Sequence, residues 1–258
     1  MMPAVSNKSE RDRGQPKETV LKIRHLYKSF GENHVLIDFN MDLYRGENVV
    51  VLGKSGSGKS VLIKCIIGLI KPDKGMVEMF GKSIPKLNDA ELDQVMARVG
   101  FLFQSNALYD SMTIRENLEF PLRRHMLDIT QKEVNTIVME ALKDVGLSHT
   151  VDLMPAELSG GMRKRIALAR TLILRPDIIL YDEPTTGLDP VTAKEIIGLM
   201  LDIQKKYNTS SIIISHDMNC LRLTGDRVIV LMNGTNHVTG TYQEIINHED
   251  PAVKEFFE

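Results

Sequence analysis

The sequence predicts an α/β fold built around a phosphate-binding strand, loop and helix. Three observations carry that expectation: the continuous β-branched run Asn48-Val49-Val50-Val51-Leu52, the glycine-rich loop that follows it, and the helix-length apolar stretch from Val61 to Leu69. A strand apolar at every position suits a parallel sheet covered on both faces, and glycines between strand and helix let backbone N–H groups close on phosphate. The length agrees, since 258 residues suit one large α/β domain or a core with a subdomain.

The first 18 residues mix Lys8, Glu10, Arg11, Asp12, Arg13, Lys17 and Glu18 with no apolar h-region, which predicts a disordered arm rather than a signal or transit peptide. From Thr19 to Leu52, short alternating apolar stretches are punctuated by Gly31-Glu32-Asn33 and Arg45-Gly46-Glu47-Asn48, a strand-and-turn pattern. Helical periodicity dominates between about Leu87 and Ala156, most clearly in Gln131 to Val145, where apolar residues recur at spacings of three and four, and predicts a helical subdomain over about 87–165. Beyond it the elements alternate: a helix over Met162–Leu174, a strand over Ile178–Tyr181, a helix over Val191–Tyr207 and a strand over Ser211–Ser215. A last strand over Arg227–Met232 ends at an Asn233-Gly234 turn, and residues 241–258 read as a short helical tail broken at Pro251.

Composition excludes several classes. With 32 Lys and Arg against 34 Asp and Glu, no general basic field argues for nucleic acid as a partner. No stretch reaches the length and apolarity of a membrane-spanning helix, so a membrane role is expected through a partner. Cys65 and Cys220 stand far apart in no CxxC pattern, which fits a reducing compartment and inert buried thiols.

Gly53-Lys54-Ser55-Gly56-Ser57-Gly58-Lys59-Ser60 fits G-x-x-x-x-G-K-[ST], in which the loop amides cradle phosphate, Lys59 reaches the β and γ phosphates and the Ser60 hydroxyl faces Mg²⁺. Ile178-Ile179-Leu180-Tyr181-Asp182-Glu183 is a strand ending in two carboxylates, Asp182 for the metal shell and Glu183 as the base for an attacking water. Such an acidic pair also caps helices. Leu158-Ser159-Gly160-Gly161-Met162 opens onto another helix, where a lone Ser-Gly-Gly turn would ordinarily be only a helix entry. The following Arg163-Lys164-Arg165 reads as a solvated helix face.

In this order the motifs resemble those of the ATP-binding cassette transporter ATPases, over essentially all of residues 20–240. The resemblance implies a P-loop NTPase core of the ABC ATPase type, with an antiparallel β subdomain and a helical signature subdomain. It implies ATP and Mg²⁺ as ligands, Phe30 stacked on adenine, and Gln104 as the Q-loop residue sensing Mg²⁺ and water. Asp189, in Gly187-Leu188-Asp189-Pro190, would be the D-loop aspartate and His216 the switch histidine. A Phe beside a turn is more often core and a strand-end His more often structural, so both roles rest on the resemblance. Ser159, Gly160 and Gly161 would serve nucleotide held by a second copy of the chain, making a homodimer the working unit.

Met162 departs from the commoner Gln of the family. Together with residues 100–113 and 116–122 it is most similar to the Mla-type ATPases of MCE lipid transporters. That likeness implies an integral membrane permease, an MCE-domain protein, phospholipid cargo, a small accessory subunit and a peripheral place on the cytoplasmic face of an inner membrane. Ala107, Leu108, Met112, Ile114, Leu118 and Phe120 would offer the permease an apolar surface, although any one of them more often simply packs the helical subdomain. A cassette for another cargo, such as an amino acid or metal importer, shares all these motifs. A soluble cassette acting on nucleic acid or ribosomes would add a coiled coil or second cassette, and neither is visible.

Overall fold

The computed structural model describes residues 17–257, so most of the arm expected at the N-terminus lies outside the described residues. The chain runs β1 (Thr19–Phe30), β2 (Asn33–Tyr44), β3 (Asn48–Leu52), α1 (Lys59–Ile66), β4 (Lys74–Met79), β5 (Lys82–Ser83), α2 (Asp89–Met96) and β6 (Val99–Leu102). It continues with α3 (Ile114–His125), α4 (Gln131–Asp144), α5 (Gly160–Leu172), β7 (Ile178–Asp182), α6 (Pro190–Tyr207) and β8 (Ser210–Ile214). The last elements are α7 (Met218–Thr224), β9 (Arg227–Met232), β10 (Thr235–Gly240), α8 (Tyr242–Ile246) and α9 (Pro251–Lys254).

Two sheets form. One is antiparallel, in the order β2-β1-β4-β5, and the other has the order β10-β9-β3-β8-β7-β6, parallel except for the β9–β10 hairpin. Asn233 and Gly234 both take positive φ, which matches the right-handed twist of the hairpin strands. The β-branched run of β3 is buried throughout because each face meets a different core. Val49 and Val51 join the core under α1 and the antiparallel sheet, whereas Val50 and Leu52 face the helices. From β3 the chain crosses to β6 at the sheet edge and returns through β7 and β8 to β9. The C-terminal ends of β3, β6, β7 and β8 therefore open on one side, where α/β sheets place their ligands.

Helices α3, α4 and α5 pack together in the core that Val50 and Leu52 enter, and α3 and α4 each start in a capping box, Thr113 with Glu116 and Thr130 with Glu133. The stretch 87–165 is not wholly helical, because β6 within it belongs to the large sheet. Four residues are too few for periodicity to reveal, and Gly100 permits the close approach to α5: a Cβ there would sit 2.8 Å from the Thr171 carbonyl oxygen. Helix α5 starts at Gly160, two residues before its apolar spacing begins, because Ser159 caps it with its hydroxyl accepting from Met162 N at 3.2 Å.

Candidate active site

The loop between β3 and α1 is shaped by its glycines. Gly58 stands at φ 103° as the N-cap of α1, and a Cβ there would lie 2.8 Å from the Val35 carbonyl oxygen, so no larger residue fits. Lys59 Nζ donates to the loop's own carbonyls, Gly53 O at 2.6 Å and Lys54 O at 3.0 Å. Burial pushes the Lys59 ammonium below its ordinary pKa, and Glu183 and Asp182 oppose that shift. The Ser57 hydroxyl is buried, with no hydrogen-bond partner among the described residues.

These residues wall a cavity of about 810 Å³ that gathers Phe30, Gly53, Lys54, Ser55, Gly56, Gly58, Lys59 and Ser60 with Gln104, Asp182, Glu183 and His216. Their sources are the ends of β1, β3, β6, β7 and β8, so residues far apart in sequence converge because the parallel strands end together. Phe30 is 50% exposed, with Lys28 Nζ 5.3 Å from its ring centroid, and is not a core residue. Ser57 lines a neighbouring hollow instead.

Asp182 closes β7, and its carboxyl is pushed above the usual range by burial and then by the neighbouring Glu183 charge, with Lys59 and Lys164 opposing. Glu183 holds φ 50°, a strained value for a side chain of its size, and its N–H donates to Ile214 O of β8 at 2.9 Å. Its Oε2 lies 2.9 Å from His216 Nδ1 and accepts from Thr186 Oγ1 at 3.2 Å. Glu183 is mostly buried while His216 reaches solvent, so the imidazole stands at the cavity mouth over the carboxylate.

Ser159, Gly160, Gly161 and Asp189 lie outside this cavity in their own chain. Asp189 caps α6, accepting from Val191 N and Thr192 N at 3.1 Å each, and Gly161 packs against Thr192, whose Cγ2 would meet a Cβ at 2.8 Å. The two loops thus form one surface. Arg163 is exposed as expected, but Lys164 is 2% exposed, which corrects the reading of that triplet as a solvated face.

Sequence reasoning missed Thr186 and the C-terminal segment. Glu255 and Phe256 line the cavity, Glu255 pairs with Lys54 Nζ, and Phe256 carries that ammonium 5.9 Å from its ring centroid. Val253 is fully buried and the Phe257 ring meets Tyr242 edge-on at 6.3 Å, which anchors the segment. A contact spanning 201 residues leaves no local signal in the sequence.

The oxygen donors Ser60 hydroxyl, Gln104 amide and Asp182 carboxylate suit a hard cation such as Mg²⁺. Among the described residues there is no cluster of three or more His, Cys, Asp or Glu able to hold a metal ion, so a cation here would share its shell with phosphate oxygens and water. A loop whose Gly53 and Gly58 leave no room for a Cβ, a half-buried lysine within it and a carboxylate 2.9 Å from an imidazole are the parts of a nucleoside triphosphate hydrolase.

The family model for ABC transporters matches residues 36–186. This chain belongs to that family. It is 38% identical over 245 residues to the probable ribonucleotide transport ATP-binding protein Mkl of Mycobacterium leprae, covering 95% of this chain and 70% of that protein. It is 33% identical over 239 residues to the intermembrane phospholipid transport system ATP-binding protein MlaF of Haemophilus influenzae, covering 93% and 90%. Its fold matches the dimeric, post-hydrolysis cassette MJ0796 bound to ADP and Pi at a TM-score of 0.77, with 32% identity over 86% of this chain and 98% of that one. The protein is an ATP-hydrolysing ABC transporter subunit, and among the described residues no helix is long and apolar enough to cross a membrane.

Proposed function

We propose that this ABC ATPase powers the movement of phospholipid between the inner and outer membranes of a bacterium. It would work as a homodimer docked on an integral membrane permease at the cytoplasmic face of the inner membrane, with an MCE-domain protein and a small accessory subunit. The likeness to MlaF supports the cargo, since it runs over nearly the full length of both chains, whereas Mkl carries a name for ribonucleotide transport.

The contact of Glu183 with His216 at 2.9 Å, across the cavity from the phosphate loop, carries the hydrolytic reading. Phe30 stacks on the adenine, and the Gly53–Ser60 loop with Lys59 holds the β and γ phosphates. Water attacks the γ-phosphorus in line, the bond to the β-phosphate oxygen breaks, and Glu183 accepts the proton the water loses. His216 fixes the Glu183 carboxylate through Nδ1, Thr186 holds the same oxygen, and both keep the base aimed. When bound at Ser60, Gln104 and Asp182, Mg²⁺ neutralises charge on the phosphates. Ser159 and Gly161 complete the site of a partner copy, which is why they lie outside their own chain's cavity.

Affinity capture of the tagged chain from detergent-solubilised native membranes, with identification of proteins and lipids, tests the assignment. A multi-span permease, an MCE-domain protein and phospholipid are the expected companions. A permease with a solute-binding protein would move the cargo elsewhere, and recovery of soluble or nucleic-acid partners alone would overturn the transport assignment.

A further inference from the structure

Lys164 is a charged side chain inside the protein. It is 2% exposed, the first of the buried residues of α5, which continue with Ile166, Ala167, Leu168 and Ala169. An ammonium in such a place is costly unless partners replace its water. Its partners are main-chain carbonyls of the loop after β6: Nζ lies 3.2 Å from Gln104 O and 3.4 Å from Phe103 O. Burial still holds the ammonium below its ordinary pKa, with the charges of Asp182 and Glu183 opposing that shift.

A second cation of the same helix grips the same loop. Arg170 Nη2 donates to Asn106 O at 3.4 Å, and its guanidinium carbon lies 5.7 Å from the Tyr109 ring centroid. Between these two points Asn106 and Ala107 take positive φ, at 65° and 52°, so the loop is held in a shape its residues do not favour on their own. Asn117 of α3 closes the far end, accepting from Tyr109 N at 2.8 Å and donating to Met112 O at 3.1 Å. The loop carrying Gln104 is thereby fastened to α5, and α5 begins at the Ser159–Gly161 turn.

We propose that Lys164 is a positioning residue for hydrolysis: by binding the Gln104 and Phe103 carbonyls from the helix that carries the Ser159–Gly161 turn, it makes that turn and Gln104 one rigid unit. The consequence is mechanical. A displacement of α5 at its N-terminus, where the partner's nucleotide would bear on Ser159, reaches Gln104 of the chain's own cavity through the Lys164 side chain about one and a half helical turns away. This inference rests on the assignment of Gln104 and Glu183 to the hydrolytic site.

The test uses the full chain with Lys164→Met, Lys164→Gln and Lys164→Arg, Glu183→Gln serving as the control for the site itself. Steady-state ATPase rates and deuterium uptake of peptides spanning 103–109 are measured without permease, uptake in the absence of nucleotide. Lys164→Met should lower kcat roughly 10- to 100-fold, the scale of misplacing a positioned group by about 1 Å, with the KM for ATP unchanged to within about threefold. Uptake over 103–109 should rise while peptides of β1 and β2 keep theirs, and Lys164→Arg should restore both readouts in large part.

Wild-type uptake over 103–109 in the Met variant, or an Arg variant no better than Met, would overturn the proposal. If Lys164→Met fails to fold, Lys164→Gln, whose amide is one bond short of the two carbonyls, decides by the same two readouts: slowed turnover with raised uptake over 103–109 supports the proposal, and wild-type values overturn it. Undiminished turnover in Glu183→Gln would instead fault the site assignment, and the uptake data would still decide whether Lys164 fastens the loop.

Discussion

Glu183 combines two properties that single residues rarely share: a strained backbone at φ 50° and a carboxylate held by both an imidazole and a hydroxyl. Glu183 lines the cavity, and both partners meet the same oxygen, Oε2. Glu183→Gln keeps the shape and removes the basicity, so it should bind ATP as the wild type does and turn it over about 10² to 10⁴ times more slowly. Nucleotide titration and single-turnover phosphate release check both halves. With His216 acting through Glu183, as proposed, His216→Ala should slow the wild type but add little to Glu183→Gln, a non-additivity that a double-mutant cycle reads directly.

Its neighbour Asp182 pays for function differently, since burial and the Glu183 charge raise its carboxyl pKa. A carboxyl raised in the folded state favours its protonated form there, so stability falls as pH rises from the unfolded-state value through the raised one. Asp182→Asn should therefore melt higher than the wild type at neutral pH without nucleotide. The difference should vanish on acidification below the ordinary carboxylate range, and equal melting temperatures at neutral pH would contradict it.

At the scale of elements, what could be read in advance depended on whether the cause was local. The β3 run, the glycine loop and the period of α4 are properties of neighbours in sequence, and the structure places each where its pattern implies. The Asn233-Gly234 turn follows likewise from conformations that few residues other than Gly and Asn accept. Strand β6 escaped notice because four residues carry no usable period, and Lys164 was misread because burial of a charge depends on the loop packed over it. Most of the cavity was legible because motifs mark it, but Glu255 and Phe256 arrive through α9, whose docking rests on Val253 and Phe257. Val253→Asp should unfasten α9 and lower stability by about 1.5–3 kcal/mol, the worth of burying one such side chain, as read by urea unfolding. An unchanged urea midpoint would show that the segment is held by something else.

For the whole molecule, the decisive fact is that one chain divides its parts between two surfaces. The phosphate loop, Asp182, Glu183 and His216 share a cavity, while Ser159, Gly160, Gly161 and Asp189 lie outside it, around the N-termini of α5 and α6. In the homodimer proposed above, each of these surfaces would meet the other chain's cavity, and two-fold symmetry would close the pair on itself. Complementation tests this without any permease. Lys59→Ala removes the phosphate ligand of a chain's own cavity, and Ser159→Arg spoils only what it lends to a partner. Each variant alone should be inactive, yet an equimolar mixture forms mixed dimers in which the Ser159→Arg cavity meets an intact turn from the Lys59→Ala chain. With random pairing half the dimers are mixed and each holds one working site of two, so the mixture should recover about a quarter of wild-type activity. Recovery should rise with protein concentration as dimers form. A mixture as inactive as its components would mean that each chain completes its own site, and the location of Ser159 outside the cavity would then require a rearrangement within one chain.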